Sequence, residues 1–241
     1  MFAIIKIMTR KRLAAGILVF GAIALFSLSS IQWAHAQSAS PQFLITWKTT
    51  GSYVPPSYIG KALPTYGSKI TASLELISKN KLVDLSSQTI YWYLNDTLLG
   101  GGTGVQAITF PPFGTPPRAL VLKVELPSYN GNFLIHTIQI PMVSPTAVIY
   151  APFPNDRFSA HPLVVSALPY FFNTAATSSL VFSWSVNNET NSSAENPIEA
   201  DITLPPGTAA GTTVSIGLSV ENPLDSTVAN AASNFTYQPI P

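Results

Sequence analysis

Beyond residue 40 the apolar side chains of this chain fall at every second position, run after run, and that period limits what it can fold into. Successive residues of a strand face opposite ways, so a period of two marks strands with one buried face. In 69–76 Ile70, Ala72, Leu74 and Leu76 share a face. In 89–94 Ile90, Trp92 and Leu94 do, leaving Tyr91 and Tyr93 on the other side. Leu120, Leu122, Val124 and Leu126 lie together opposite Lys123 and Glu125, and the run 133–140 follows Asn130-Gly131, a hairpin-turn signal. The same reading covers Leu180, Phe182, Trp184 and Val186, then Ile198, Ala200, Ile202 and Leu204, then Val214, Ile216, Leu218 and Val220, and finally Phe235 and Tyr237. No helical period of useful length interrupts the series. Half-wet strands joined by frequent turns, with 21 prolines in the chain, predict an all-β protein of antiparallel sheets.

The two halves repeat one another. IYWYLND at 90–96 and FSWSVNN at 182–188 each end a tryptophan strand in an Asn-rich turn, and Trp92 and Trp184 stand 92 residues apart. That interval is the length of one β-sandwich domain, about 100 residues. The expected organisation is a signal segment over 1–36, one sandwich over 41–141 and a second over 142–241. The proline-bearing stretch 141–145 (PMVSP) is the expected linker, short enough to make a semi-rigid tandem.

The W-x-x-N strand, Trp92 to Asn95 and Trp184 to Asn187, resembles bacterial immunoglobulin-like and PKD-type domains, without the antibody cysteine pair. The stretch from Tyr53 to Leu63 (YVPPSYIGKAL) and Trp92-Tyr93-Leu94-Asn95 resemble segments of exported two-domain proteins of candidate-phyla bacteria. The resemblance implies two tandem immunoglobulin-like antiparallel β-sandwiches preceded by an N-terminal signal helix, and a place at the cell surface.

Export is also expected from the N-terminus itself. Lys6, Arg10, Lys11 and Arg12 precede an uncharged run, 13–31 (LAAGILVFGAIALFSLSSI), which leads to Ala34-His35-Ala36 and a polar stretch. Basic, apolar, small-x-small is the layout of a secretory signal, with cleavage expected after Ala36. The alternative is a retained membrane anchor, because the uncharged run approaches the length that spans a bilayer.

Without those four bases, eight basic residues face eleven acidic ones, a net of −3 with no basic cluster, so nucleic-acid binding is not expected. The chain has no cysteine, which excludes disulfides, thiol nucleophiles and cysteine-ligated metals. Past the signal only His136 and His161 remain, in different halves, and His136 shares phase with Leu134, Ile138 and Ile140. Asp156 and Asp225 read as turn acids, Glu199 and Asp201 as a solvated pair on one strand face, and no G-x-S-x-G elbow occurs. No cofactor and no enzymatic activity are expected; a hydrolase would need a carboxylate or Ser/His cleft that the sequence does not locate. The N-x-S/T triplets at Asn95, Asn188, Asn191 and Asn234 are glycosylation acceptors in a eukaryotic secretory route and polar turn or strand residues otherwise.

Trp92 and Trp184, in phase with apolar neighbours, are expected in the core, and Trp47 beside Lys48 is open between core and ligand stacking. Tyr53, Tyr58, Tyr91 and Tyr93 are the candidate contact residues. The competing reading is that the 53–66 loop folds across the sheet and covers these rings. The expected function is a non-enzymatic cell-surface or secreted module for adhesion or assembly with a protein partner or surface structure such as a pilus. The alternative is a glycan-binding module using the same tyrosines.

Overall fold

A computed structural model describes residues 40–159, 162–191 and 198–239 of the chain. The signal segment 1–36, its cleavage point after Ala36, and His161 lie outside the described residues. Pro41–Pro241 forms one compact unit.

The first half pairs two antiparallel sheets. One has β2 (Lys69–Ser78) at its centre, with β1 (Gln42–Thr50) on one side and β3 (Lys81–Leu82) and β6 (Ala107–Phe110) on the other. The second runs β5 (Thr97–Thr103), β4 (Thr89–Leu94), β7 (Arg118–Tyr129), β8 (Asn132–Met142). Their facing sides meet in one core that holds Ile70, Ala72, Leu74 and Leu76 from β2 against Ile90, Trp92, Leu94, Leu120, Leu122, Val124 and Leu126. Each residue of that set follows the alternation read from the sequence. Phe43, Ile45 and Trp47 of β1 pack half-buried against the core, and Phe43 stacks on His136 of β8 with ring centroids 5.3 Å apart. His136 remains exposed while its ring stacks on Phe43.

The second half repeats the plan. β11 (Leu163–Tyr170) lies between β9 (Thr146–Tyr150) and β14 (Glu199–Ile202). The opposing sheet runs β10 (Arg157–Phe158), β16 (Thr227–Tyr237), β15 (Thr213–Asn222), β12 (Val181–Val186), β13 (Glu189–Asn191). Leu163, Val165, Ala167, Phe172, Trp184, Val214, Ile216, Leu218, Val220 and Phe235 fill its core. Within each half, paired neighbours such as β1-β2 and β7-β8 alternate with connections that cross to the other sheet, in the manner of immunoglobulin-like sandwiches.

The W-x-x-N repeat has a structural cause. After Trp92, Leu94 pairs with Thr97, so Asn95 and Asp96 form a two-residue hairpin turn with φ of 46° and 64°. After Trp184, Val186 pairs with Glu189, and Asn187 and Asn188 do the same at 52° and 68°. Such turns need left-handed backbone at both positions, where Asn and Asp are tolerated best. Each leading Asn then bonds twice to the neighbouring strand. The Asn95 N–H donates to the Val121 carbonyl at 2.9 Å and Asn95 Oδ1 accepts from the Val121 N–H at 2.9 Å. Asn187 makes the same pair with Ser215, at 2.8 and 3.0 Å.

Two local expectations need correction. Pro141 and Met142 end β8 and do not belong to the connection, because Met142 is buried in the first core and Pro141 sits on an edge strand that needs no N–H from it. The 53–66 loop does not cover the tyrosines of β4. Apart from Lys61, which stands over Trp47 of β1, its contacts lie with the second half, described next.

Candidate functional site

The segment between β1 and β2 is anchored by backbone bonds. The Tyr53 N–H donates to the Phe172 carbonyl at 2.8 Å, and the Phe171 N–H donates to the Tyr53 carbonyl at 2.6 Å. Phe172 is fully buried in the second core, so this exchange ties the loop to the core itself. Phe171 holds a left-handed backbone (φ 61°), unusual for a bulky residue and in keeping with a position fixed by its partners. Tyr58 meets Tyr170 and Phe171 edge-on, at 5.8 and 5.9 Å between centroids. Further along, the Val143 N–H donates to the Pro64 carbonyl at 2.9 Å. Thr65 to Ser68 close a turn, with Ser68 Oγ donating to the Thr65 carbonyl at 2.8 Å. Asn173 faces this turn, and its own carbonyl accepts from Asn222 Nδ2 at 3.1 Å. Tyr53 and Tyr58 are therefore internal fasteners between the halves.

Tyr91 and Tyr93 lie elsewhere, on the outer face of the β5-β4-β7-β8 sheet. The strand registers put two rows across it. Gly101, Tyr91, Glu125 and Ile135 form one, and Leu98, Tyr93, Lys123 and Thr137 the next. Lys123 Nζ reaches Asp96 at 3.2 Å and Glu125 at 3.3 Å, and stands 4.5 Å from the centroid of the Tyr93 ring. The hydrogen bond to Asp96, then the one to Glu125, raises the Lys123 pKa. Partial desolvation, then the Glu125 carboxylate, raises that of Tyr93. Both shifts favour the protonated forms, the cationic lysine and the neutral tyrosine. Around it stand exposed apolar side chains: Leu98 at 55%, Val121 at 37%, Phe133 at 58% and Ile135 at 50%.

The structure therefore divides the four candidate tyrosines into two pairs with no contact partner in common. It also adds Val121, Lys123, Phe133 and Ile135 to the outer face. The signal for Phe133 and Ile135 was available, since both stand in the phase of β8 opposite Leu134, Ile138 and Ile140, which face the core. Trp92 and Trp184 are buried; Trp92 Nε1–H donates to the Val105 carbonyl at 2.9 Å. Trp47 is half-buried beneath Lys61, whose Nζ lies 3.5 Å from the ring centroid and whose pKa is lowered by desolvation. Among the described residues no group of three or more His, Asp or Glu could hold a metal ion, and no helix is long and apolar enough to cross a membrane.

No protein-family model and no curated protein matches the chain. Solved structures do. The fibronectin(III)-like modules of Clostridium thermocellum CbhA share 16% identity over 81% of this chain and 94% of that one, with a TM-score of 0.31. Three N-terminal domains of the highly immunogenic outer capsid protein of bacteriophage RB49 share 11% over 81% of this chain and 59% of theirs, with a TM-score of 0.40. A C-terminal fragment of intimin, solved with the intimin-binding domain of its translocated receptor, shares 11% over 79% and 64%, with a TM-score of 0.25.

Proposed function

We propose that this chain is an exported, non-catalytic module that works by protein–protein contact outside the cytoplasmic membrane, in adhesion or in building a surface structure. Its working surface is the outer face of the β5-β4-β7-β8 sheet. The observation that carries this reading is the composition of that face: two tyrosines and four exposed apolar side chains around a lysine already paired with Asp96 and Glu125. Aromatic and aliphatic groups around a self-neutralised charge suit a protein partner, because little charge must be desolvated without a mate. A sugar-stacking use is less well served, since the Lys123 ammonium stands over the Tyr93 ring and Tyr53 and Tyr58 are engaged at the junction. The basic-apolar-small leader supports export, and the fastened junction supports a module that transmits force or holds a spacing.

The test is site-specific photo-crosslinking in intact cells with the probe at Tyr93 or Ile135, and at Ser183 on the second half as the control position. Adducts with surface proteins from Tyr93 and Ile135, absent at Ser183 and accessible to external protease, are expected. A chain shielded from external protease, or a crosslinking pattern that does not distinguish the positions, refutes the reading.

A further inference from the structure

The other sheet edges among the described residues are shorter, irregular or charged, and β8 carries only Pro141, near its end. β3, β10 and β13 have two or three residues, and β6, β9 and β14 four or five, with Glu199 and Asp201 on β14. β5 contains Gly100 to Gly102 and a register shift against β4. β1 carries Lys48. β8 alone among them is long, 11 residues, without Lys, Arg, Asp or Glu. Its ladder with β7 is unbroken from Met142 to Leu134. In the second half the corresponding edge, that of β16, is capped by β10 in parallel at Arg157 and Phe158; in the first half no described strand takes that place. Edges of this kind are templates for another strand.

We propose that β8 is a self-pairing strand, which joins two copies of this chain antiparallel into one continuous eight-stranded sheet. The inference rests on the surface reading above and names the partner as a second copy. A second copy fits this edge in one register that sets neither like charges nor the proline against it. Pairing that keeps outward residues facing outward places residues of equal parity opposite each other, which leaves a short series of registers. Centred on Ile135, the row Glu125–Ile135 would meet its own image and bring two carboxylates into line. Centred on Thr137, Lys123 would meet Lys123, and Pro141, which lacks an N–H, would fall inside the ladder. Centred on His136, Ile135 lies opposite Thr137 of the other copy, and Glu125 of one copy shares a row with Lys123 of the other, twice over. Pro141 then falls outside the paired stretch. The two β7 backbones stand roughly 14 Å apart in such a sheet, so these charges bias the register only slightly, and the backbone ladder and the exposed Ile135 drive association. Ile135 of each copy becomes a diagonal neighbour of the other, about 7–8 Å away, and packs directly over the opposite Thr137.

The cysteine-free chain makes the register directly readable. Full-length protein, purified in mild detergent to hold its N-terminal apolar segment, is made as His136→Cys, Ile135→Cys and Thr137→Cys and oxidised with copper phenanthroline. His136→Cys should form a disulfide dimer by itself. Ile135→Cys and Thr137→Cys should crosslink efficiently only when mixed with each other. Ile135→Lys, a change at a half-exposed position, should leave the thermal melt in place and weaken dimerisation at least about tenfold by sedimentation. Wild type that is monomeric, or equal crosslinking by every single variant as expected of chance encounters in a micelle, overturns the proposal. If wild type is monomeric while the Tyr93 probe still captures another surface protein, only the self-pairing fails. If that probe captures nothing either, the surface reading falls with it.

Discussion

Replacing Gly67 by alanine tests whether the two halves stand as one body. Gly67 holds a left-handed backbone (φ 79°) in the turn from Thr65 to Ser68, and an added Cβ would overlap Asn173 Nδ2 and sit 3.0 Å from Asn173 Cγ. Two penalties follow. The left-handed backbone costs an alanine about 1–2 kcal/mol. Overlap with Asn173, held where the Asn222 side chain bonds its carbonyl, costs a further ~1–3 kcal/mol unless that side chain swings away. Gly131→Ala is the matched control, with φ 77° and nothing within 4 Å of the added methyl, so it carries the first penalty alone. At about 2–4 °C per kcal/mol for a chain of this size, the control should lose roughly 2–8 °C and Gly67→Ala about 4–20 °C. Calorimetry supplies the assay. Wild type should melt in a single transition, and Gly67→Ala should split it or lower it beyond the control. In a double-mutant cycle, Asn173→Ala added to Gly67→Ala should restore most of the excess loss. Two independent wild-type transitions, or Gly67→Ala no worse than Gly131→Ala, would mean that the loop contacts do not couple the halves.

The remaining predictions concern single interactions. Trp92→Phe should lose about 1–3 kcal/mol in urea unfolding, since it leaves the Val105 carbonyl without the indole donor and opens a void in the first core. Asn95→Ala and Asn187→Ala should each cost about 1–3 kcal/mol, and by similar amounts, because each removes the same side-chain bond and puts alanine into a left-handed turn position; a large difference between them would undo the claimed equivalence of the two turns. Lys61→Ala should cost about 0.5–1 kcal/mol through the lost contact with Trp47 and should change the tryptophan emission.

The sandwich cores were legible because burial enforces one period over many residues. Each inward set from β2, β4, β7 and β15 could be written down from alternation alone. What escaped was set by pairs of segments distant in the chain. β11 is half-buried in its outward phase as well as buried inward, so its period is blurred and the strand did not stand out. The 53–66 loop was recognisable as rich in Pro, Gly and Tyr, but nothing local says that its target is Tyr170 to Asn173. The division of the tyrosines has the same origin. Tyr91 and Tyr93 were placed on the outer face by phase, whereas Tyr53 and Tyr58 carry no phase, and only the fold assigns them to the junction.

The two halves share a fold and a turn but not an outer face, and that contrast locates function better than either half does alone. In the second half the rows across the sheet read Ser185, Gly217, Ala232 and Ser183, Ser219, Asn230. Small side chains there leave a shallow groove of about 290 Å³ and present little that could anchor a partner. At the matching place the first half sets Tyr91, Tyr93, Lys123, Glu125 and Ile135. Core residues had to remain apolar in both copies of the plan for either to fold, so they carry no information about what differs between them. Outer faces are not bound in that way: the second half exposes Val181 and Val228 on either side of Glu221, and only the first half sets aromatic rings and Ile135 beside an uncharged, uncapped edge. A module meant only to fill space would gain nothing from exposing Phe133 and Ile135 next to such an edge, where unwanted pairing is a standing hazard. Their presence makes sense if pairing at that edge is what the first half is for.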